Sequence, residues 1–257
     1  MAGQVRQAQL DKLNQIVSTS TSYPGFTTIN VARLQDINDA YSTVVNMDYF
    51  PVTVNELPVV NGQRQTPEQF LNHIRTNINS FVDTEYSEFE PYQWPGLDEI
   101  TLWNSSNPLG AVIGIDIKGP DNGSVIVSDY DTDKWTFSTI FDPKYGEHPV
   151  SGNRDFGYTQ NSNGSYTFYT RGVDRLTDAG GTALHNVSEF FTGESFPFSQ
   201  ADALWESFQS KIDNFVKSNG GSSSVNTPQI HRPDWQQVQD VLEGKAPLST
   251  LSKDCPD

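Results

Sequence analysis

The chain has 257 residues, enough for one large domain or a domain with an extension. Only 35% of residues are hydrophobic but 12% are aromatic, which excludes the ring-poor composition of a disordered chain. A net charge of −16 excludes broad, non-specific nucleic-acid binding, and no apolar run approaches the roughly 20 residues a membrane-spanning helix needs.

The elements follow in chain order. Residues 4–18 read as a helix with Val5, Leu10, Leu13, Ile16 and Val17 on one stripe. A second helix is expected over 32–45 from Leu34, Ile37, Tyr41 and Val44, and residues 49–62 read as extended, with Pro51 and Pro58 as breakers. The clearest helix follows. Thr66 caps it, Pro67 suits its first position, Gln69 completes a capping box, and Phe70, Leu71, Ile74, Ile78, Phe81 and Val82 form its apolar face. Asp83 to Pro95 reads as a packed acidic loop.

From about residue 97 the period becomes two. Strands are expected over 109–117, 125–130, 135–141, 154–160 and 165–171, joined by short polar turns, the last of them Asn161-Ser162-Asn163-Gly164. Ser199 then opens a long helix lined by Leu204, Trp205, Phe208, Ile212, Phe215 and Val216. A Gly/Ser stretch from Asn219 reads as a flexible linker, and a last helix is expected to begin near Pro233.

Grouped helices and strands argue for an α+β fold: an antiparallel β-meander of about five strands, a long C-terminal helix packed on it, and N-terminal helices. The expected division is an N-terminal region over 1–62, a core domain over 63–218, and a linker with a short helix over 219–257. The order of elements resembles a helix-grip fold, an architecture that often encloses an apolar cavity between sheet and helix.

Two segments concentrate reactive side chains. One runs from Gly146 through His148, Asn153, Arg154 and Asp155 to Tyr158; the other runs from Tyr166 through Tyr169, Arg171 and Asp174 to Arg175. A hairpin turning at 161–164 brings them to one end of the sheet. The expected site has His148 as general acid/base with Asn153 and Asp174 orienting it. Arg154 and Arg171 hold an anion there, with Tyr169 and Arg175 also placed on the substrate. The alternative is that Arg154, Asp155, Asp174 and Arg175 pair with each other and only fix the hairpin, with Gly152, Gly157 and Gly172 needed for bulges or turns.

The other candidates are weaker. His73 sits at the boundary of its helix stripe, and His231 reads as part of the start of the last helix. His185 and Glu189 have helical spacing but do not make a metal site by themselves. Asp83, Glu85, Glu88 and Glu90 read as a solvated acidic loop in preference to a glycosidase pair. The single cysteine, Cys255, allows no intrachain disulfide and lies in the tail. No P-loop, Gly-x-Ser-x-Gly, His-Glu-x-x-His or Gly-x-Gly-x-x-Gly occurs, so no metal is expected and the cofactor, if any, is unknown.

Taken together, Gly146–Tyr158 and Tyr166–Arg175 resemble C-terminal effector regions of bacterial polymorphic and injected toxins. That resemblance implies a protein made in the cytoplasm without a cleavable signal peptide and delivered by a dedicated secretion machine. Its partners would be that machinery or a cognate immunity protein. Three functions stay open. The first is an effector acting on a small or lipid-linked anionic substrate. The second is a non-enzymatic binder of a small-molecule or lipid-like ligand between sheet and helix. The third is a structural component of a secretion assembly.

Overall fold

A computed structural model describes residues 6–13, 32–94, 96–117, 122–177 and 196–252. Its centre is a ten-stranded antiparallel sheet. The strands are β1 (Arg33–Leu34), β2 (Asn46–Glu56), β3 (Ser87–Pro91), β4 (Val112–Ile117), β5 (Gly123–Tyr130), β6 (Lys134–Phe141), β7 (Val150–Gln160), β8 (Tyr166–Leu176), β9 (Ser222–Val225) and β10 (Gln229–His231). They lie in the order β9-β2-β8-β7-β6-β5-β4-β3, with β1 added on β6 and β10 on β2. The meander from β4 to β8 is the expected one, but the sheet is larger than five strands.

The added strands have readable causes. In β2, Asn46, Asp48, Phe50, Val52 and Val54 alternate inward, a period of two that begins with polar residues and so escapes a hydrophobicity scan. Pro51 interrupts β2 at no cost to the sheet. Its missing N–H lies on the side of β9 and β10, opposite the gap between those strands, while its carbonyl accepts from Asn226 N at 3.2 Å. In β3, Ser87 and Phe89 point inward and Glu88 and Glu90 outward, so the acidic loop is in fact an edge strand guarded by charge. Residues 46–56 and 222–231 therefore belong to the same sheet as the core, and boundaries near 62 and 219 cut through it.

Five helices accompany the sheet among the described residues: α1 (Gln7–Asp11), α2 (Pro67–Thr76), α3 (Glu99–Trp103), α4 (Phe196–Ser218) and α5 (Trp235–Leu242). The expected capping box opens α2, with Thr66 Oγ1 accepting from Gln69 N at 3.2 Å and Gln69 Oε1 accepting from Thr66 N at 2.9 Å. The expected helix over 32–45 is instead β1, a single 3-10 turn at Ile37–Asp39 capped by Asp36, and extended chain. Leu34 pairs with Ile140, and Arg175 takes the carbonyls that a helix would have used itself. Of the expected 4–18 helix, residues 6–13 are described, and the helix there is α1, which ends at Asp11 with Lys12 as its C-cap.

The long helix α4 lies across the inner face of the sheet. Leu204, Trp205, Phe208, Ile212 and Val216 are buried against Phe50, Val52, Val54, Phe156 and Phe168. Burying each of these side chains contributes roughly 1.5–3 kcal/mol. Gln209 Nε2 pins the helix to β2 by donating to Pro51 O at 2.6 Å. On the outer face, Leu10, Leu13 and Ala32 pack on Val112, Ile126 and Ile140. Among the described residues no helix is long and apolar enough to cross a membrane.

Candidate functional site

The β7–β8 register pairs Arg154 with Gly172 and Asp155 with Arg171. Neighbouring residues on a strand face opposite ways, so this register divides the expected cluster between the two faces of the sheet. Arg154 and Asp174 belong to the inner face, toward α4. Asn153, Tyr169, Arg171 and Arg175 belong to the outer face. His148 lies in the loop before β7.

The inner face carries a buried charged constellation. Arg154 Nη2 donates to Asp48 Oδ2 at 2.6 Å and Nη1 to Thr170 Oγ1 at 3.3 Å. The guanidinium also lies over the Trp205 ring of α4, 4.2 Å from its centroid. Gly172 makes this crossing possible: a Cβ there would come within 2.7 Å of Arg154 Cζ. Gly172 N in turn donates to Asp48 Oδ1 at 3.0 Å. Gly152 does the same service in the next row, where a Cβ would lie 2.6 Å from Asp174 Cα. These two glycines are needed for close approach, not for a bulge or a turn.

Asn46 joins the two carboxylates. Its Nδ2 donates to Asp48 Oδ2 at 2.9 Å and to Asp174 Oδ2 at 3.1 Å, while its Oδ1 is buried without a partner. Asp174 retains some accessible surface but makes no ion pair among the described residues. Burial pushes its pKa up to about 6, and the nearby Asp48 charge adds to this. Next to it, Arg232 binds Asp202 of α4 through both carboxylate oxygens, at 2.8 and 2.9 Å, and covers the Phe198 ring. Burial raises the pKa of Asp202 as well.

The outer-face residues have other partners. Arg171 forms an exposed pair with Asp155 at 2.9 Å and lies beside Tyr169, whose ring tilts against Tyr49. Asn153 Oδ1 accepts from Ser138 Oγ, which also lies 2.6 Å from Ser128 Oγ. Arg175 spends its fork on the backbone: it donates to Ser42 O, Ile37 O and Ala40 O at 2.6–2.8 Å and lies over Trp235. It fastens the loop before β2 to the sheet.

His148 is buried. Its Nδ1 lies 3.0 Å from Val150 O and 3.2 Å from Val150 N, and its Nε2 has no partner. The ring fills the space beside Gly123, where a Cβ would meet Cγ at 2.7 Å. Desolvation pulls its pKa down to about 4, so the ring is neutral near pH 7. His73 packs on Phe81 and Phe215 at the edge of the core, and His231 ends β10 ahead of α5, which Asp234 caps. His185, Glu189 and Cys255 lie outside the described residues. No three His, Cys, Asp or Glu side chains converge on a metal position among the described residues.

Asn46, Asp48, Asp202, Trp205 and Arg232 join the constellation without having been read as site residues. For two of them a signal existed: Asn46 and Asp48 continue the inward phase set by Phe50, Val52 and Val54, and a polar residue in an inward phase is the unusual observation. Asp202 and Arg232 come together only through tertiary packing.

No family model matches this chain, and no curated protein matches it. Among solved structures it is similar to the KanY protein (ms6282), with TM-score 0.37, 14% identity, and coverage of 65% of this chain and 96% of that one. It is also similar to the di-domain ARO/CYC StfQ from the steffimycin biosynthetic pathway, with TM-score 0.39, 12% identity, and coverage of 71% of this chain and 53% of that one. A third likeness is to protein Ms6760 from Mycobacterium smegmatis, with TM-score 0.36, 10% identity, and coverage of 69% of this chain and 94% of that one.

Proposed function

We propose that this chain is a non-enzymatic binding protein that holds a small amphipathic molecule between the sheet and α4. The ligand's apolar part lies against the rings of the inner face, and its polar end lies at Asn46, Asp48, Arg154 and Asp174. The observation that carries this reading is the inward-facing ionic constellation itself. A sheet that only had to pack on a helix would be more stable with apolar residues there, because desolvating a buried ion pair offsets most of its attraction. A ligand-facing role gives these groups a use. The effector reading, with Arg154 and Arg171 gripping one anion beside His148, requires two arginines on opposite faces of the sheet to meet on one substrate. The geometry favours the binding reading over it.

The test is titration of the full chain with single-chain amphiphiles below their micelle concentrations: dodecanol, dodecylamine and dodecanoate. Tryptophan fluorescence and melting temperature are followed, with Trp205→Phe used to assign the signal. Saturable binding of at least one, with a fluorescence change that Trp205→Phe removes, is the expected result. If none of the three binds saturably, the reading fails.

A further inference from the structure

The constellation at the inner end of the sheet has an imbalance of charge and of hydrogen bonding. Three carboxylates, Asp48, Asp174 and Asp202, face two guanidiniums, Arg154 and Arg232. Both guanidiniums are already committed at hydrogen-bond distance, Arg154 to Asp48 and Arg232 to Asp202. Among the described residues Asp174 is left with one neutral donor, the Asn46 amide at 3.1 Å. The same amide has its Oδ1 buried with nothing to accept from, although Asn46 is only 1% exposed. Exchanging the amide's oxygen and nitrogen would aim the oxygen at two carboxylates, so the arrangement with Oδ1 unpartnered is the better one. What the group lacks is therefore a donor and a positive charge. An anion would meet two committed arginines and a carboxylate that feels both of them but is hydrogen-bonded by neither.

Resting on the binding reading above, we infer that this end of the interior receives the protonated amine of an amphipathic ligand, which donates to Asp174 and to Asn46 Oδ1. This reverses the expectation of an anionic ligand drawn from the number of arginines. Trp205 and Phe198, which already flank the two guanidiniums, supply the adjoining ring surface for the ligand's chain. No covalent step is involved.

Dodecylamine, dodecanol, dodecanoate and dodecyltrimethylammonium share one chain and differ only in the head group. With the full-length protein at pH 7, dodecylamine should bind at least about tenfold more tightly than dodecanol and dodecanoate, since one charge-assisted hydrogen bond in a partly desolvated site is of that size. Dodecyltrimethylammonium, charged but without an N–H, should bind more weakly than dodecylamine. Asp174→Asn, checked for native circular dichroism, should erase the preference for the amine over the alcohol. If dodecanol or dodecanoate binds as tightly as dodecylamine, or if folded Asp174→Asn keeps the preference, the inference is overturned while the binding reading stands. Equal binding of the two ammonium ligands overturns it as well. Should Asp174→Asn not fold, the four head groups on the wild-type protein decide. If no amphiphile binds, both the inference and the binding reading fall.

Discussion

The guanidinium of Arg154 occupies the space that a side chain at Gly172 would fill, and through that space it reaches Asp48 on the far neighbour strand. Three strands are thereby joined on the inner face by one arginine, with Trp205 of the long helix lying over it. Gly172→Ala should accordingly be expensive for a small change, on the order of 2–4 kcal/mol, as overpacking against a buried charged group. Arg154→Ala should cost about 3–5 kcal/mol by leaving Asp48 buried without its cation. The double variant should be little worse than Arg154→Ala alone, because the second change removes the clash. Urea melts of the four proteins measure the coupling, and simple additivity would refute the crossing geometry.

Two desolvated titratable groups, Asp174 and His148, should make stability depend on pH with opposite signs. Asp174 has a folded pKa of about 6, raised from 3.8, so its contribution is present below pH 3.8 and is lost as pH rises through about 6. His148 has a folded pKa of about 4, lowered from 6.5, so its contribution is present above 6.5 and is lost as pH falls toward 4. Each effect is on the order of 2–3 kcal/mol, and over the shared window they offset. Asp174→Asn should leave stability rising with pH across that window, and His148→Gln should leave it falling. Denaturant melts at a series of pH values check this; parallel profiles for the two variants would contradict it.

Arg175 should act as a clamp for the loop before β2. Arg175→Ala frees the carbonyls of Ile37, Ala40 and Ser42 and removes the cover of Trp235, a loss of roughly 2–4 kcal/mol from several charge-assisted bonds. Lysine should not rescue it, since one ammonium cannot match three carbonyls held by a planar fork. Faster amide exchange or proteolysis confined to residues 36–44 is the expected readout.

Arg171 should matter little. Its pair with Asp155 is more than half exposed on the arginine side, and such pairs contribute about 0–1 kcal/mol. Arg171→Ala should melt close to the wild type, with the small difference shrinking in high salt. A loss above about 2 kcal/mol would mean that the outer-face pair is far better shielded than its exposure implies.

Much of the fold could be read from local pattern. The capping box at Thr66–Gln69, the alternation from Val112 to Phe141, the turn at Asn161–Gly164 and the apolar stripe of α4 each depend on residues close in sequence, so their periods are visible there. The α+β class and the placing of the long helix on the sheet followed from those elements. Residues 49–62 read as extended, but the place of Asn46–Glu56 in the sheet and the strands Ser87–Pro91 and 222–231 did not follow, because a proline, an acidic edge and a serine run conceal a pairing supplied by distant chain.

The site divides in the same way. The sequence singled out Arg154 and Asp174, because they fall in two segments where arginines and other reactive side chains concentrate in an otherwise acidic chain. It could not decide their faces: that depends on a register set across β2, β8 and β7, and a one-residue offset sends Arg171 to solvent and Arg154 to the helix. Nor could it place Asp48, Asp202 and Arg232 beside them, since those contacts span more than a hundred residues or cross from a helix to the segment after β10. Local periodicity determined the meander and the helices α2 and α4, and only the tertiary register decided which charges share the interior, because in a sheet the face of every side chain turns on alignment with its neighbours.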